Sequence, residues 1–241
     1  MIDVRQLRKR FGSVTAVSDV SFTAPNGRIT GILGENGAGK TTTLALICGL
    51  LRPDGGSIQV GPGDHTPLAR RRRVGALLDH KELYDRLTVR ENIAYFGRLH
   101  GISPPDLHTR VQGVVSQLGL DRIADRRLAG FSQGERMKVA LGRAIVHAPG
   151  HLLLDEPTNG LDIPSVHGLR GVLRRMRDQG ACILFSSHVL DEVRALCDNV
   201  VVMSHGRVVA RGSAAEICRQ TECPTLEGAF LALTGREVIP S

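Results

Sequence analysis

Apolar and polar positions alternate over residues 2–33, which predicts strands, with Pro25-Asn26-Gly27 as a turn among them. The stretch closes on an apolar run at 29–33. The period then changes: Leu44, Ile47, Cys48 and Leu51 share one face of a helix expected to run to about Leu51. Pro53-Asp54-Gly55-Gly56 turns the chain into a short strand at 57–60, and a further strand is expected at 74–78. Residues from about 80 to 145 read as mostly helical. Thr88 and Glu91 have the spacing of a capping box, opening a helix with Ile93, Phe96 and Leu99 inside. A second helix carries Leu107, Val111, Val114, Val115 and Leu118, with Gly119 as its stop. A third opens at Ser132, with Glu135 three residues on. Strand and helix then alternate again: strand 151–154, helix 164–179, buried strand 181–187, helix 189–196, and a hairpin of 200–203 with 207–210 turning at His205-Gly206. Two short helices follow from Ser213. The pattern is an α/β core with a helical segment inserted in its middle.

A chain of 241 residues suits one such domain, and 41% hydrophobic residues can build its core. With no Trp and 3% aromatics that core is aliphatic. No apolar run approaches the ~20 residues that cross a bilayer, and the charged segment at 1–10 has no signal-peptide h-region. The expectation is a cytosolic chain. Cys48, Cys182, Cys197, Cys218 and Cys223 have neither C-x-x-C pairing nor zinc spacing, and read as buried or inert thiols. The formal charge is +7, carried by 27 Arg and 4 Lys. The densest cluster, Arg70-Arg71-Arg72-Arg73, has no aromatics nearby for stacking on bases. It reads as a solvated face or one near anionic lipid, and no specific nucleic-acid partner is expected.

Chemistry enters at Gly34-Glu35-Asn36-Gly37-Ala38-Gly39-Lys40-Thr41-Thr42, which fits the phosphate-binding pattern G-x-x-x-x-G-K-[ST]. A strand leads in and a helix leads out, as that pattern needs. Glycines let backbone N–H groups converge on an anion, and the helix N-terminus adds its positive dipole end. Lys40 then neutralises phosphate charge and the Thr41 hydroxyl can ligate Mg²⁺. A glycine-rich turn with a stray lysine is the bland alternative, and the downstream residues weaken it. Leu152-Leu153-Leu154-Asp155-Glu156 is an apolar strand ending in two carboxylates, and strand ends in α/β sheets face the ligand crevice. Asp155 suits a hold on Mg²⁺, and Glu156 could polarise an attacking water as general base. In Phe131-Ser132-Gln133-Gly134-Glu135, Ser132 and Glu135 cap a helix, and such an N-terminus can also bind an anion.

The ordered set resembles an ATP-binding-cassette (ABC) nucleotide-binding domain over essentially the whole chain. The P-loop is Gly34 to Thr42, the signature motif Phe131 to Glu135, and Walker B Leu152 to Glu156. The D-loop is Asn159-Gly160-Leu161-Asp162, and the switch histidine is His188 after Ser186-Ser187. The resemblance implies a P-loop NTPase ABC-type ATPase core with an N-terminal antiparallel β-subdomain and an inserted α-helical subdomain. Residues 1–79 and 146–212 would form the nucleotide-binding core, 80–145 the insertion and 213–241 a helical tail. It implies ATP and Mg²⁺ as ligands and Phe11 as the aromatic under the adenine. It implies head-to-tail dimers, homo- or heterodimeric, in which Ser132 and Gly134 touch the γ-phosphate held by the other protomer. Asp162 would communicate across that interface, and His188 would contact the γ-phosphate and help hold the attacking water.

Two departures stand out. The usual signature is L-S-G-G-Q, and here Glu135 replaces the amide with a charge. The glutamine expected after 74–78 is Asp79, a further candidate metal contact. The stretch Leu83-Tyr84-Asp85-Arg86-Leu87-Thr88-Val89-Arg90-Glu91-Asn92 resembles ATP-binding subunits of the NatA type, which are linked to sodium export. The leading expectation is therefore the ATPase subunit of a membrane exporter, peripheral on the cytoplasmic face. Its permease would be a separate chain, contacted through residues about 79–100, where Tyr84 and Tyr95 fall. A soluble ABC ATPase acting in macromolecular assembly, repair or translation is the alternative. It fits less well, since this is one cassette with no heptad run.

Overall fold

The computed structural model describes residues 1–78 and 83–235. β1 (Ile2–Phe11) and β2 (Val14–Ala24) form an antiparallel pair, with Ile2 opposite Ala24 and Phe11 opposite Val14. β3 (Arg28–Leu33) leads through a glycine-rich loop into α1 (Lys40–Ile47). β4 (Gly55–Val60) adds to the outer edge of β1, and α2 (Pro67–Arg73) runs directly into β5 (Val74–Leu77). Three helices follow, α3 (Val89–Leu99), α4 (Pro104–Gln117) and α5 (Gln133–Ile145). Then β6 (His151–Asp155), α6 (Ile163–Asp178), β7 (Cys182–Ser187) and α7 (Leu190–Leu196) alternate. β8 (Asn199–Ser204) and β9 (Arg207–Gly212) make the expected hairpin, and α8 (Ala214–Gln220) and α9 (Leu226–Thr234) the tail.

The strands form one sheet in the order β4-β1-β2-β9-β8-β3-β7-β6-β5. From β8 to the β5 edge it is parallel: β8, β3, β7, β6 and β5 run side by side in one direction. Parallel strands are covered on both faces, and alternation along them divides the core. Leu153 and Leu184 face a cluster shared with β1, β2, β4 and α1, whereas Leu152, Leu154, Ile183 and Phe185 face the helices. Ile93, Val111, Val115 and Leu141 from α3, α4 and α5 belong to that second cluster. The inserted helices therefore share one apolar core with the sheet.

Both capping boxes in this stretch form. Thr88 accepts from Glu91 N while Glu91 accepts from Thr88 N, and Ser132 and Glu135 do the same at α5. Three expectations need correction. Leu99 is not inside but 65% exposed, at the last turn of α3. α1 ends at Ile47, short of Leu51. The arginine run is not a uniform solvated face, because it lies on α2, which the apolar pattern did not predict. Arg70 is buried and donates to Leu46 O at 2.7 Å and Ile47 O at 3.3 Å. A cation there meets the negative end of the α1 dipole and satisfies carbonyls that have no partner within the helix. Arg73 turns inward to Val60 O and Asp64 O, and Arg71 and Arg72 stay exposed. The cysteines are free thiols, and burial pushes the Cys182 thiol up to about 11.

Candidate active site

Three adjacent parallel strands bring the site together at their C-terminal ends. In register, Leu33 of β3 lies opposite Ser187 of β7, and Ser186 lies opposite Asp155 of β6. The segments after these strands carry Lys40, Glu156 and His188. This is the crevice position that open α/β sheets use for ligands.

The loop from Gly34 to Gly39 wraps the Lys40 ammonium. Lys40 Nζ donates to Gly34 O at 2.8 Å and Glu35 O at 3.1 Å, and its side chain is 5% exposed. Gly39 has φ 96°, and a Cβ there would lie 2.5 Å from Ala16 O, so only glycine lets the loop pass this close to β2. Gly206 N donates to Ala38 O at 3.1 Å and pins the loop from the β8–β9 turn. Asn36, Gly37 and Thr41 are exposed and Thr42 half-buried, at the mouth formed by the start of α1. Phe11 is 47% exposed with Lys9 Nζ 5.5 Å from its ring centroid. It pairs with Val14, two residues from the Ala16 that touches Gly39.

Glu156 sits at the centre of the charges. Its backbone adopts φ 46°, a left-handed conformation that side chains rarely take and that costs ~1–3 kcal/mol. Its N–H, donating to Ser186 O at 3.2 Å and Ser186 Oγ at 3.0 Å, holds that conformation. The turn points the carboxylate back across the sheet. Oε1 lies 3.1 Å from Lys40 Nζ and Oε2 2.6 Å from His188 Nδ1. Asp155, buried one residue earlier, accepts from Ser186 Oγ at 2.5 Å. Ser186 thus holds both the Asp155 carboxylate and the Glu156 backbone. Sequence reasoning used it only as a marker for His188, because a serine in an apolar strand carries no signal of the partner it meets.

Ser132, Gly134 and Asp162 form a second cluster, on α5 and α6. Ser132 Oγ accepts from Glu135 N at 3.2 Å and Glu135 Oε2 accepts from Ser132 N at 2.8 Å. A Cβ on Gly134 would lie 2.2 Å from Ser165 Oγ, so glycine lets α5 approach α6. Asp162 accepts from Ser165 N at 3.0 Å and caps α6, and its hydrogen bonding with Ser165 holds its carboxyl below the usual carboxylate range. Gln133 Nε2 donates to Asn159 O at 3.0 Å, and Asn159 N donates to Glu156 O at 3.1 Å. One residue therefore joins the two clusters. Asp79 lies outside the described residues.

The family model described as ABC transporter matches residues 17–159. The ABC transporter ATP-binding protein NatA of Bacillus subtilis is 40% identical over 239 residues, 96% of this chain and 97% of that protein. Nod factor export ATP-binding protein I of Burkholderia lata is 39% identical over 214 residues, 88% of this chain and 70% of that protein. A solved structure described as the ATP-binding subunit of an ABC transporter superimposes with a TM-score of 0.85 at 29% identity, over 97% of this chain and 99% of that one. The glycine-rich loop around Lys40, the carboxylates at the strand end and these matches lead to one conclusion: the chain belongs to the ABC transporter family, as an ATP-binding subunit and ATPase.

Proposed function

We propose that this chain powers an exporter, hydrolysing ATP in a dimer docked on a separate membrane permease, with Glu156 as the general base. The observation that carries this reading is the carboxylate of Glu156 held between Lys40 and His188, at 3.1 and 2.6 Å, beside the phosphate loop. Residues 34–42 fit a triphosphate: the loop at Gly39 leaves no room for a side chain, and the buried Lys40 already gathers oxygen acceptors around it. Phe11 would stack on the base. Thr41 and Asp155 are the donors available to Mg²⁺, which would spread phosphate charge when bound, with phosphate and water oxygens completing its shell. Glu156 would take a proton from the attacking water. His188 Nδ1 orients that carboxylate and leaves the other ring nitrogen for phosphate. Ser132 and Gly134 would serve the phosphate of the partner protomer.

For the permease contact, support comes from the surface of residues 83–100 as part of an inserted subdomain at 80–145. Tyr84 is 47% exposed and meets Tyr95 edge-on at 5.4 Å, and Tyr95 meets Phe96 at 5.5 Å. Phe96 lines a groove of about 720 Å³ with Leu50, Leu77, Leu99, His100 and His147. Among the described residues no helix is long and apolar enough to cross a membrane. In this reading the chain sits on the cytoplasmic face through its partner. The export direction rests on the relative named for Nod factor export, and Na⁺ as cargo on the NatA-like stretch at 83–92. The test is to recover the polytopic protein that co-purifies in mild detergent, reconstitute both in vesicles and follow ²²Na⁺. ATP-driven Na⁺ movement away from the nucleotide-binding face is expected. ATP turnover without Na⁺ movement removes the cargo, and the absence of any membrane partner removes the exporter.

A further inference from the structure

We infer that Glu192 is a positioning residue for hydrolysis: one of its carboxylate oxygens ties the loop that follows Glu156 to the loop that carries His188. The inference rests on the reading that Glu156 and His188 act on the attacking water. Glu192 lies in the first turn of α7, and Val193 and Leu196 of that helix are buried in the core, which fixes the turn from behind. Its Oε2 accepts from Thr158 Oγ1 at 2.5 Å and from Ser187 Oγ at 2.8 Å. Thr158 and Ser187 are both buried. Buried hydroxyls are rarely left without a partner, and an ionised carboxylate, which only accepts, can take two such donors on one oxygen.

Each hydroxyl anchors one arm of the site. Ser187 Oγ, while donating to Glu192, accepts from Val189 N at 3.0 Å. His188 is the residue enclosed by that bond, so the bond sets the bend that presents its ring to Glu156 at 2.6 Å. Thr158 stands two residues after Glu156. Its carbonyl accepts from Leu161 N at 3.1 Å, while Asn159 N donates to Glu156 O at 3.1 Å. These bonds shape the turn that carries the chain from Glu156 into the D-loop, where Asn159 O accepts from Gln133 of the signature segment. Glu192 therefore fixes the base, the histidine and the D-loop relative to one another, from an anchored helix. Displacing catalytic groups by about 1 Å can cost ~10²-fold in rate.

The test uses the purified full chain and steady-state ATP hydrolysis, with Glu156→Gln as reference. Glu192→Ala removes the acceptor for both hydroxyls and should lower kcat roughly 10–100-fold with KM for ATP close to wild type, while the unpaired buried hydroxyls also lower Tm. Glu192→Gln keeps a carbonyl oxygen with two lone pairs and should restore most of kcat. Ser187→Ala and Thr158→Val each release one arm and should lower kcat less than Glu192→Ala, which keeps the question answerable if the alanine chain folds poorly. Three results would overturn the inference: a wild-type kcat in Glu192→Ala, a KM for ATP raised by as large a factor as kcat is lowered, or a Glu192→Gln chain as impaired as Glu192→Ala. If Glu156→Gln itself still hydrolyses ATP, the reading of the base falls whatever Glu192 does, so the two failures are separable.

Discussion

Replacing Glu156 by glutamine should move ATP affinity and turnover in opposite directions. From sequence alone only turnover is expected to change, because a general base is lost. The structure adds an ion pair: Lys40 Nζ lies 3.1 Å from Glu156 Oε1, with the two side chains 5% and 21% exposed. At that separation and an effective dielectric of ~20, the gross attraction is ~5 kcal/mol. Desolvation of the two charges offsets much of it, and a net of ~1–2 kcal/mol is a reasonable remainder. An arriving phosphate must take Lys40 from Glu156. In Glu156→Gln the lysine keeps Gly34 O and Glu35 O but loses its counter-charge, so phosphate supplies what the mutation removed. ATP should bind ~5–30-fold tighter, the factor that ~1–2 kcal/mol corresponds to. Loss of the base should lower kcat by roughly 10²–10⁴-fold. Calorimetric titration with ATP gives the first number, and phosphate release under saturating ATP and Mg²⁺ the second. Equal or weaker ATP binding would refute the competition between carboxylate and phosphate. A kcat near wild type would refute the assignment of Glu156 as base.

Under the proposed dimer, Lys40→Ala chains mixed with Ser132→Arg chains leave one composite site intact. ATPase activity should reappear in proven mixed dimers, and its complete absence counts against sites shared between protomers. Tyr84→Asp should weaken co-purification with the permease while sparing ATP binding, and undiminished association would move the contact elsewhere. His147, stacked on His100 at 3.7 Å, is pushed down to about 4 by burial and by the charge of His100 beside it. A folded value below the unfolded ~6.5 means that the unfolded chain takes up the proton first on acidification. Stability is therefore lost as pH falls from about 6.5 to about 4, and His147→Gln should shallow the fall of Tm over that window. An identical Tm–pH curve in the variant would remove His147 from the account.

Much of this was legible in the chain because local chemistry fixes it. Thr88 with Glu91, and Ser132 with Glu135, need no tertiary information to form their caps, and both form as spaced. The phosphate loop and the two carboxylates at the end of β6 follow from motif and strand position. What stayed hidden depends on partners far away in sequence. The arginines of α2 look alike as text, yet Arg70 turns inward because the last carbonyls of α1 lie beside it. Leu99 fits the inner face of α3 by periodicity, but at the last turn the helix has passed the core and the side chain is left at the edge of the groove. The left-handed backbone of Glu156 is set by Ser186, thirty residues on, and no propensity of glutamate foretells it.

Under the proposed dimer, the same dependence on neighbours bears on Glu135 in the segment that resembles the signature. A free carboxylate beside a phosphate would repel it, and an amide there would not. Glu135 is not free: its Oε2 accepts from Ser132 N, inside the capping box that starts α5. A carboxylate at a helix N-terminus is favoured by the helix dipole, so the charge contributes to the stability of α5. A full negative charge exceeds the roughly +0.5 elementary charge of a helix N-terminus, so an incoming anion there would rely on hydrogen-bond donors and not on the dipole. Ser132 Oγ is likewise engaged by Glu135 N, although a hydroxyl oxygen so bonded still has its own proton to donate. A partner's phosphate would then be met by that proton and by the backbone at Gly134, where no side chain intervenes. In this reading that helix start moves with the loop that follows Glu156, because Gln133 Nε2 donates to Asn159 O.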